Sequence, residues 1–240
     1  MKKSIIFAAL ALCAVFALCG TAAASEYMIT ADNASSMRGW MASDLSGTFY
    51  ITENITLSSW SPVGASSTPF TGTIAGYPAG TQRTITGMTV SAGSYAGMFA
   101  YVSGSFTAQD IKFVDCTVTS SGGNVGLLYG RGVGGNEFTI SNVDAYNCTV
   151  KSTASSGGYY VGGIAGLGAY TSSTASPASA TFATCTVKNC TVSAGDKYAG
   201  GICGRVLSGC IGTFTSCKVT GTSVLAANQY AAGICPAIGA

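Results

Sequence analysis

Eight of the ten cysteines lie from position 116 onward: Cys116, Cys148, Cys185, Cys190, Cys203, Cys210, Cys217 and Cys235. Their chemistry is limited by what surrounds them. The sequence contains no histidine, so a thiolate nucleophile lacks its usual base and no Ser-His-Asp triad can form. Zinc is disfavoured too, because no C-x-x-C pair is present to start a ligand set. The acidic residues after position 24 are Glu26, Asp32, Asp44, Glu53, Asp110, Asp115, Glu137, Asp144 and Asp196, and they are scattered. Cleaving a polysaccharide needs clustered carboxylates, as an acid/base pair or around a calcium ion. Asp110 and Asp115 are the nearest pair, and Asp115 reads as a turn residue. No catalytic, cofactor-binding or metal-binding residue is assigned, and the chain is read as a non-enzyme.

Residues 1–24 form a secretory signal: Lys2 and Lys3, an apolar core from Ile5 to Leu18, and Ala22-Ala23-Ala24 before the cut. The apolar stretch is shorter than the roughly 20 residues that span a bilayer. A lipid anchor at Cys19 is opposed by the bulky Leu18 before it. Losing Lys2 and Lys3 brings the eleven basic residues to nine, equal to the nine acidic ones. A neutral chain has no long-range field to draw nucleic acid or an anionic membrane, and little charge to oppose self-association. An even number of cysteines in an exported chain points to disulfides.

Two motifs repeat. The first is glycine-rich and begins at Tyr95, Asn124, Tyr160, Tyr198 and Tyr230, at spacings of 29, 36, 38 and 32 residues. Self-similarity on this scale means a solenoid, propeller or array. The richness in Gly, Thr, Val and Tyr excludes helical repeats, and four antiparallel strands per blade do not fit so short a unit. The second motif reads Ile111-x-Phe113-x-Asp115-Cys116-x-Val118, then Val143-x-Ala145-x-Asn147-Cys148-x-Val150, then Cys185-x-Val187-x-Asn189-Cys190-x-Val192, then Cys217-x-Val219-x-Gly221-Thr222-x-Val224. Apolar alternation with period two is a strand, and its phase slips by one across each two-residue break. A corner is required there. The corner residues Asp115, Asn147, Asn189 and Gly221 tolerate a left-handed backbone. Strand, corner and strand, repeated, predict an all-β, right-handed parallel β-helix over residues 47–240. Residues 25–46 form a cap in which Met37, Trp40, Met41 and Leu45 give Ala31 to Leu45 helical spacing.

The segment from Gly47 to Val102 resembles the start of β-helical surface proteins that carry GLUG-type repeats. The resemblance rests on Phe49-x-Ile51-x-x-Asn54-Ile55-x-Leu57, Trp60-x-Pro62-Val63-Gly64, Pro69-Phe70-x-Gly72, Ile85-x-Gly87-Met88-x-Val90 and Gly97-Met98-Phe99. Ala75 and Ala100 depart from the pattern, at turns. The resemblance implies a right-handed β-helix on a bacterial or archaeal surface, in adhesins, wall-associated proteins and sheath-like layers.

Stacked repeats also pair the cysteines. Cys116 with Cys148, Cys185 with Cys217, and Cys203 with Cys235 each lie 32 residues apart. Neighbouring rungs about 4.8 Å apart fall inside the Cα window of about 4.4–6.8 Å that a disulfide needs. Cys190 and Cys210 remain, to pair together or to cross-link copies. Four sequons, at Asn33, Asn54, Asn147 and Asn189, are glycan candidates; Asn33 is the foremost, and the other three suit a corner ladder. Tyr95, Tyr160, Tyr198 and Tyr230 form either a sugar-binding stripe or a structural stack. The expected function is that of a structural subunit of an extracellular sheath or surface layer, self-assembling, with itself as principal partner. A cell-surface adhesin or polysaccharide-binding module is the alternative.

Overall fold

The computed structural model describes residues 24–134, 137–157, 159–171 and 177–238. The predicted leader therefore lies outside the described residues except for Ala24. The chain is built of short strands, and the strand pairings run parallel throughout. The largest sheet holds, in spatial order, Glu26–Ile29, Thr48–Ile51, Thr73–Gly76, Thr107–Val114, Glu137–Tyr146, Ser179–Ala183 and Ile211–Thr215. A second sheet stacks Thr89–Ala92, Thr117–Ser120, Thr149–Ser152, Thr191–Ala194 and Ser223–Ala226. The glycine motifs supply two more: Tyr160–Gly162, Tyr198–Gly200 and Tyr230–Ala232 in one, and Phe99–Val102, Tyr129–Gly132, Ala165–Leu167 and Cys203–Arg205 in the other.

Successive repeats stack in register, so like residues form columns. Val90, Val118, Val150, Val192 and Val224 pair in series. Ile74, Ala108, Ile140, Phe182 and Phe214 form a second column. The Phe182 and Phe214 rings lie 5.1 Å apart and 3° from coplanar. Strands with one face buried alternate branched or aromatic residues inward with Thr and Ser outward, which fixes register because a slip of one residue would invert every side chain. The glycine motif makes the close turn between its two sheets: a Cβ on Gly126 would lie 2.5 Å from the Ile164 carbonyl oxygen of the next repeat.

The N-terminal end is covered. A 3-10 turn, Ala34–Ser36, runs into a helix at Met37–Ser43 whose Met37 and Met41 are fully buried over the first strands. The helix is shorter than the predicted Ala31 to Leu45. The Asn33 side chain holds the preceding loop, accepting from the Thr30 amide at 2.9 Å and donating to the Met28 carbonyl at 3.0 Å. The sheet also begins earlier than residue 47, because Glu26–Ile29 pairs directly with Thr48–Ile51.

Candidate functional site

The corner column has left-handed backbone at Asp115 (φ 53°), Asn147 (55°), Asn189 (55°) and Gly221 (58°). The turn is held rung to rung by the backbone, with the amides of Asp115, Asn147 and Asn189 donating to the carbonyls of Tyr146, Lys188 and Thr220. A second left-handed column runs parallel to it through Asp110, Asn142, Thr184 and Ser216, at φ 51–56°. Sequence reasoning missed it, although the signal is the same three-residue step between inward side chains: Ala108 to Ile111, Ile140 to Val143, Phe182 to Cys185 and Phe214 to Cys217.

This second column gathers the polar groups that the sequence left scattered. Asp110 accepts from the Gly80 amide (2.9 Å) and from Asn142 Nδ2 (2.8 Å). Asp144 accepts from the Thr186 amide (2.8 Å) and from Gln82 Nε2 (3.0 Å). Asp110 is thus linked to Asp144 through Asn142 and Gln82, and not to Asp115, which stands at its own corner on the surface. Every oxygen of the two carboxyls already holds an amide donor. Carboxyls tied in this way to backbone and side-chain amides fix loops and turns.

The eight cysteines among the described residues stand as thiols, six of them buried and Cys217 and Cys235 half-buried. Register aligns Cys185 with Cys217 and sets Cys116, Cys148 and Cys190 in one column. Contacts across that column are direct: the Cys116 amide donates to Cys148 Sγ at 3.4 Å, and the Cys148 amide to Cys190 Sγ at 3.3 Å. Cys190 is therefore a neighbour of Cys148 and not of Cys210. On the repeat that carries Cys210, the Cys190 position is taken by Thr222, whose hydroxyl receives the Cys190 amide at 3.2 Å. Hydrogen bonding between stacked thiols splits their acidities. Cys185 is pushed up by its bond to Cys217, while that bond draws Cys217 down to about 7. Cys203, chiefly through burial, is raised, and its partner Cys235 is lowered by their hydrogen bond.

Asn33 has both ends of its amide engaged in the first loop, whereas Asn54, Asn147 and Asn189 are exposed. Asn54 Oδ1 accepts from the Thr84 amide at 2.9 Å. Tyr160, Tyr198 and Tyr230 stack in register with ring centroids 5.2 and 5.3 Å apart, and Asn124 takes the place of a tyrosine between Tyr95 and Tyr160.

The last repeat differs from all the others. Of six exposed large apolar side chains, four lie in it: Ile211, Leu225, Tyr230 and Ile238. Two replace serine at the outward position of the repeat before, since Ile211 pairs with Ser179 and Leu225 with Ser193. Core positions open as well: Phe214, Val219, Val224 and Ile234 are only partly buried where Phe182, Val187, Val192 and Ile202 are fully so. Ile211–Thr215, Ser223–Ala226 and Tyr230–Ala232 are the outermost strands of their sheets, and no charged residue occurs after Lys218. Edge strands of soluble proteins usually carry charge, proline or a covering element. Here Pro236 interrupts the edge at one point, between the Ile234 carbonyl that receives the Ile202 amide and the Ala237 carbonyl that receives the Val206 amide.

No protein-family model matches the chain, and no curated protein matches it. One solved structure, described as a "putative immunoglobulin A1 protease from Bacteroides ovatus", is similar at 17% identity and a TM-score of 0.47 over 89% of this chain and 83% of that one. At that distance it carries no argument about activity. Among the described residues, no group of His, Cys, Asp or Glu side chains is arranged to hold a metal ion, and no helix is long and apolar enough to cross a membrane.

Proposed function

We propose that the chain is a right-handed parallel β-helix serving as a non-catalytic structural subunit of an extracellular sheath or surface layer, with copies joined through the open last repeat. The observation that carries this reading is the concentration of exposed apolar side chains and unpaired strand edge in residues 211–238, opposite an N-terminal end sealed by Met37 and Met41. A second copy is the occupant that fits. The surface offers backbone donors and acceptors at strand spacing, is apolar and uncharged, and belongs to a mature chain with no net charge to keep copies apart. Contacts between unlike surfaces close into rings where the rotation between copies closes and extend without limit where it does not, and a sheath or layer requires the second.

Disulfides between stacked repeats reinforce the subunit in this reading. The pairs are Cys185 with Cys217, Cys203 with Cys235, and Cys148 with one of its two neighbours, Cys116 or Cys190. Electron microscopy of the purified mature protein at high concentration tests the proposal. Extended ordered arrays support it; a persistent monomer, or a closed dimer that grows no further, contradicts it.

A further inference from the structure

Two arginines occupy one outward column without a carboxylate to meet them. Tyr101, Arg131, Leu167 and Arg205 pair in series. Arg131 donates from Nη1 to the Tyr95 hydroxyl at 3.2 Å, and its guanidinium carbon lies 4.3 Å from the Tyr170 ring centroid and 5.7 Å from that of Tyr95. Arg205 repeats the arrangement, donating to the Tyr160 hydroxyl at 3.2 Å and lying 4.8 Å from the Tyr198 ring centroid and 5.4 Å from that of Tyr160. In both, Nε is shut away from solvent and has no acceptor. Arginine is suited to planar, bidentate recognition of carboxylate, and stacking on tyrosine holds its fork in place beforehand. Nε, being closed off, is not the group a ligand reaches, so recognition falls to the Nη groups of two guanidiniums that are fixed in the same way.

The space beside Arg131 limits what the ligand is. A cavity of about 190 Å³ lies between Arg131 and Tyr160, walled by Tyr159, Asn124 and Leu167, and none of the residues that line it is acidic. That is smaller than the roughly 300–1,000 Å³ clefts that enclose a whole small molecule, so it seats one unit of something longer. The two arginines are two repeats apart, about 10 Å at the usual spacing of parallel strands. Between and beside them are tyrosine rings and hydroxyls. In the column itself the buried Leu167 stands between the two arginines, so the face offers one pair of cations about 10 Å apart flanked by tyrosines, which suits a polymer with carboxylates on separate ring-shaped units.

We infer that the Arg131–Arg205 face binds a carboxylated polysaccharide, each guanidinium engaging a uronate carboxylate and the tyrosines packing against sugar rings. The inference is independent of assembly and uses residues outside the last repeat. The test is calorimetric titration of dispersed mature protein with oligogalacturonate, against the same oligomer after carboxyl reduction and against a neutral glucan. Binding of oligogalacturonate alone is expected, with Arg131→Gln and Arg205→Gln each weakening it tenfold or more, and Arg131→Lys less. Equal binding of the reduced oligomer or the glucan overturns the role of charge. Full competition by inorganic phosphate at the same carboxylate-equivalent concentration overturns the polymer. No binding by a parent protein with native circular dichroism overturns the site altogether.

Discussion

Replacing Thr184 by Asn should stabilise the protein, and replacing Asn147 by Val should destabilise it, by similar amounts. Both positions are exposed, both have left-handed backbone (φ 56° and 55°), and both donate their amide to the next repeat, to the Thr215 and Lys188 carbonyls at 2.8 and 3.1 Å. Neither substitution changes the core or removes a backbone hydrogen bond. What differs is the conformational cost. An ordinary L-residue loses about 1–2 kcal/mol in this region, from which Asn is largely exempt, and branching at Cβ worsens it. Thr184→Asn should thus gain about 1 kcal/mol and Asn147→Val lose about 1–2 kcal/mol. For a domain of this size the changes correspond to melting shifts of roughly 2–4 °C per kcal/mol, upward and downward respectively. Urea unfolding of dispersed, reduced, unglycosylated protein measures both, with unchanged slope as the control that only stability moved. A Thr184→Asn variant no more stable than the parent, together with an undiminished Asn147→Val variant, would refute the assignment of strain to these columns.

Three further outcomes are expected. Phe182→Ala empties a fully buried position stacked on Phe214 and should cost about 3–5 kcal/mol in urea unfolding; a loss below about 1 kcal/mol would mean that the stacked core does not exist. In reduced protein, Cys217, half-buried and drawn down to about 7 by its bond to Cys185, should alkylate faster than Cys185, its rate climbing as pH rises through 7 because the thiolate is the reactive form. Peptide mapping that shows equal labelling of the two contradicts that order. In native material, mass spectrometry should find Cys185–Cys217 and Cys203–Cys235 linkages, and reduction should lower stability by about 3 kcal/mol for each closed loop; eight free thiols would remove disulfides from the account.

The parallel strands and their register were readable because inward residues recur with period two and restart at fixed offsets. The four aligned copies from Ile111 to Val224 pair in the structure as they align in the sequence. The second left-handed column carried an equal phase slip but was hidden by residue type, since Thr184 and Ser216 are not residues that announce such a turn. The link from Asp110 to Asp144 was hidden by distance along the chain. Its mediators, Gln82 and Asn142, come from different repeats, and only stacking brings them together. The apolar character of the last repeat was visible as composition. The replacement of Ser179 and Ser193 by Ile211 and Leu225 at matched positions became evident only once register was known.

The open last repeat is the centre of the account, and its most direct test is to charge it without touching the core. Ile211 and Leu225 are 55% and 58% exposed and face outward, so Ile211→Lys with Leu225→Lys should leave melting of the dispersed protein within about 1 kcal/mol of the parent. Sedimentation and electron microscopy of parent and double variant at equal high concentration then read assembly alone. The account predicts ordered arrays for the parent and a folded, non-assembling variant; arrays formed equally by both would contradict it.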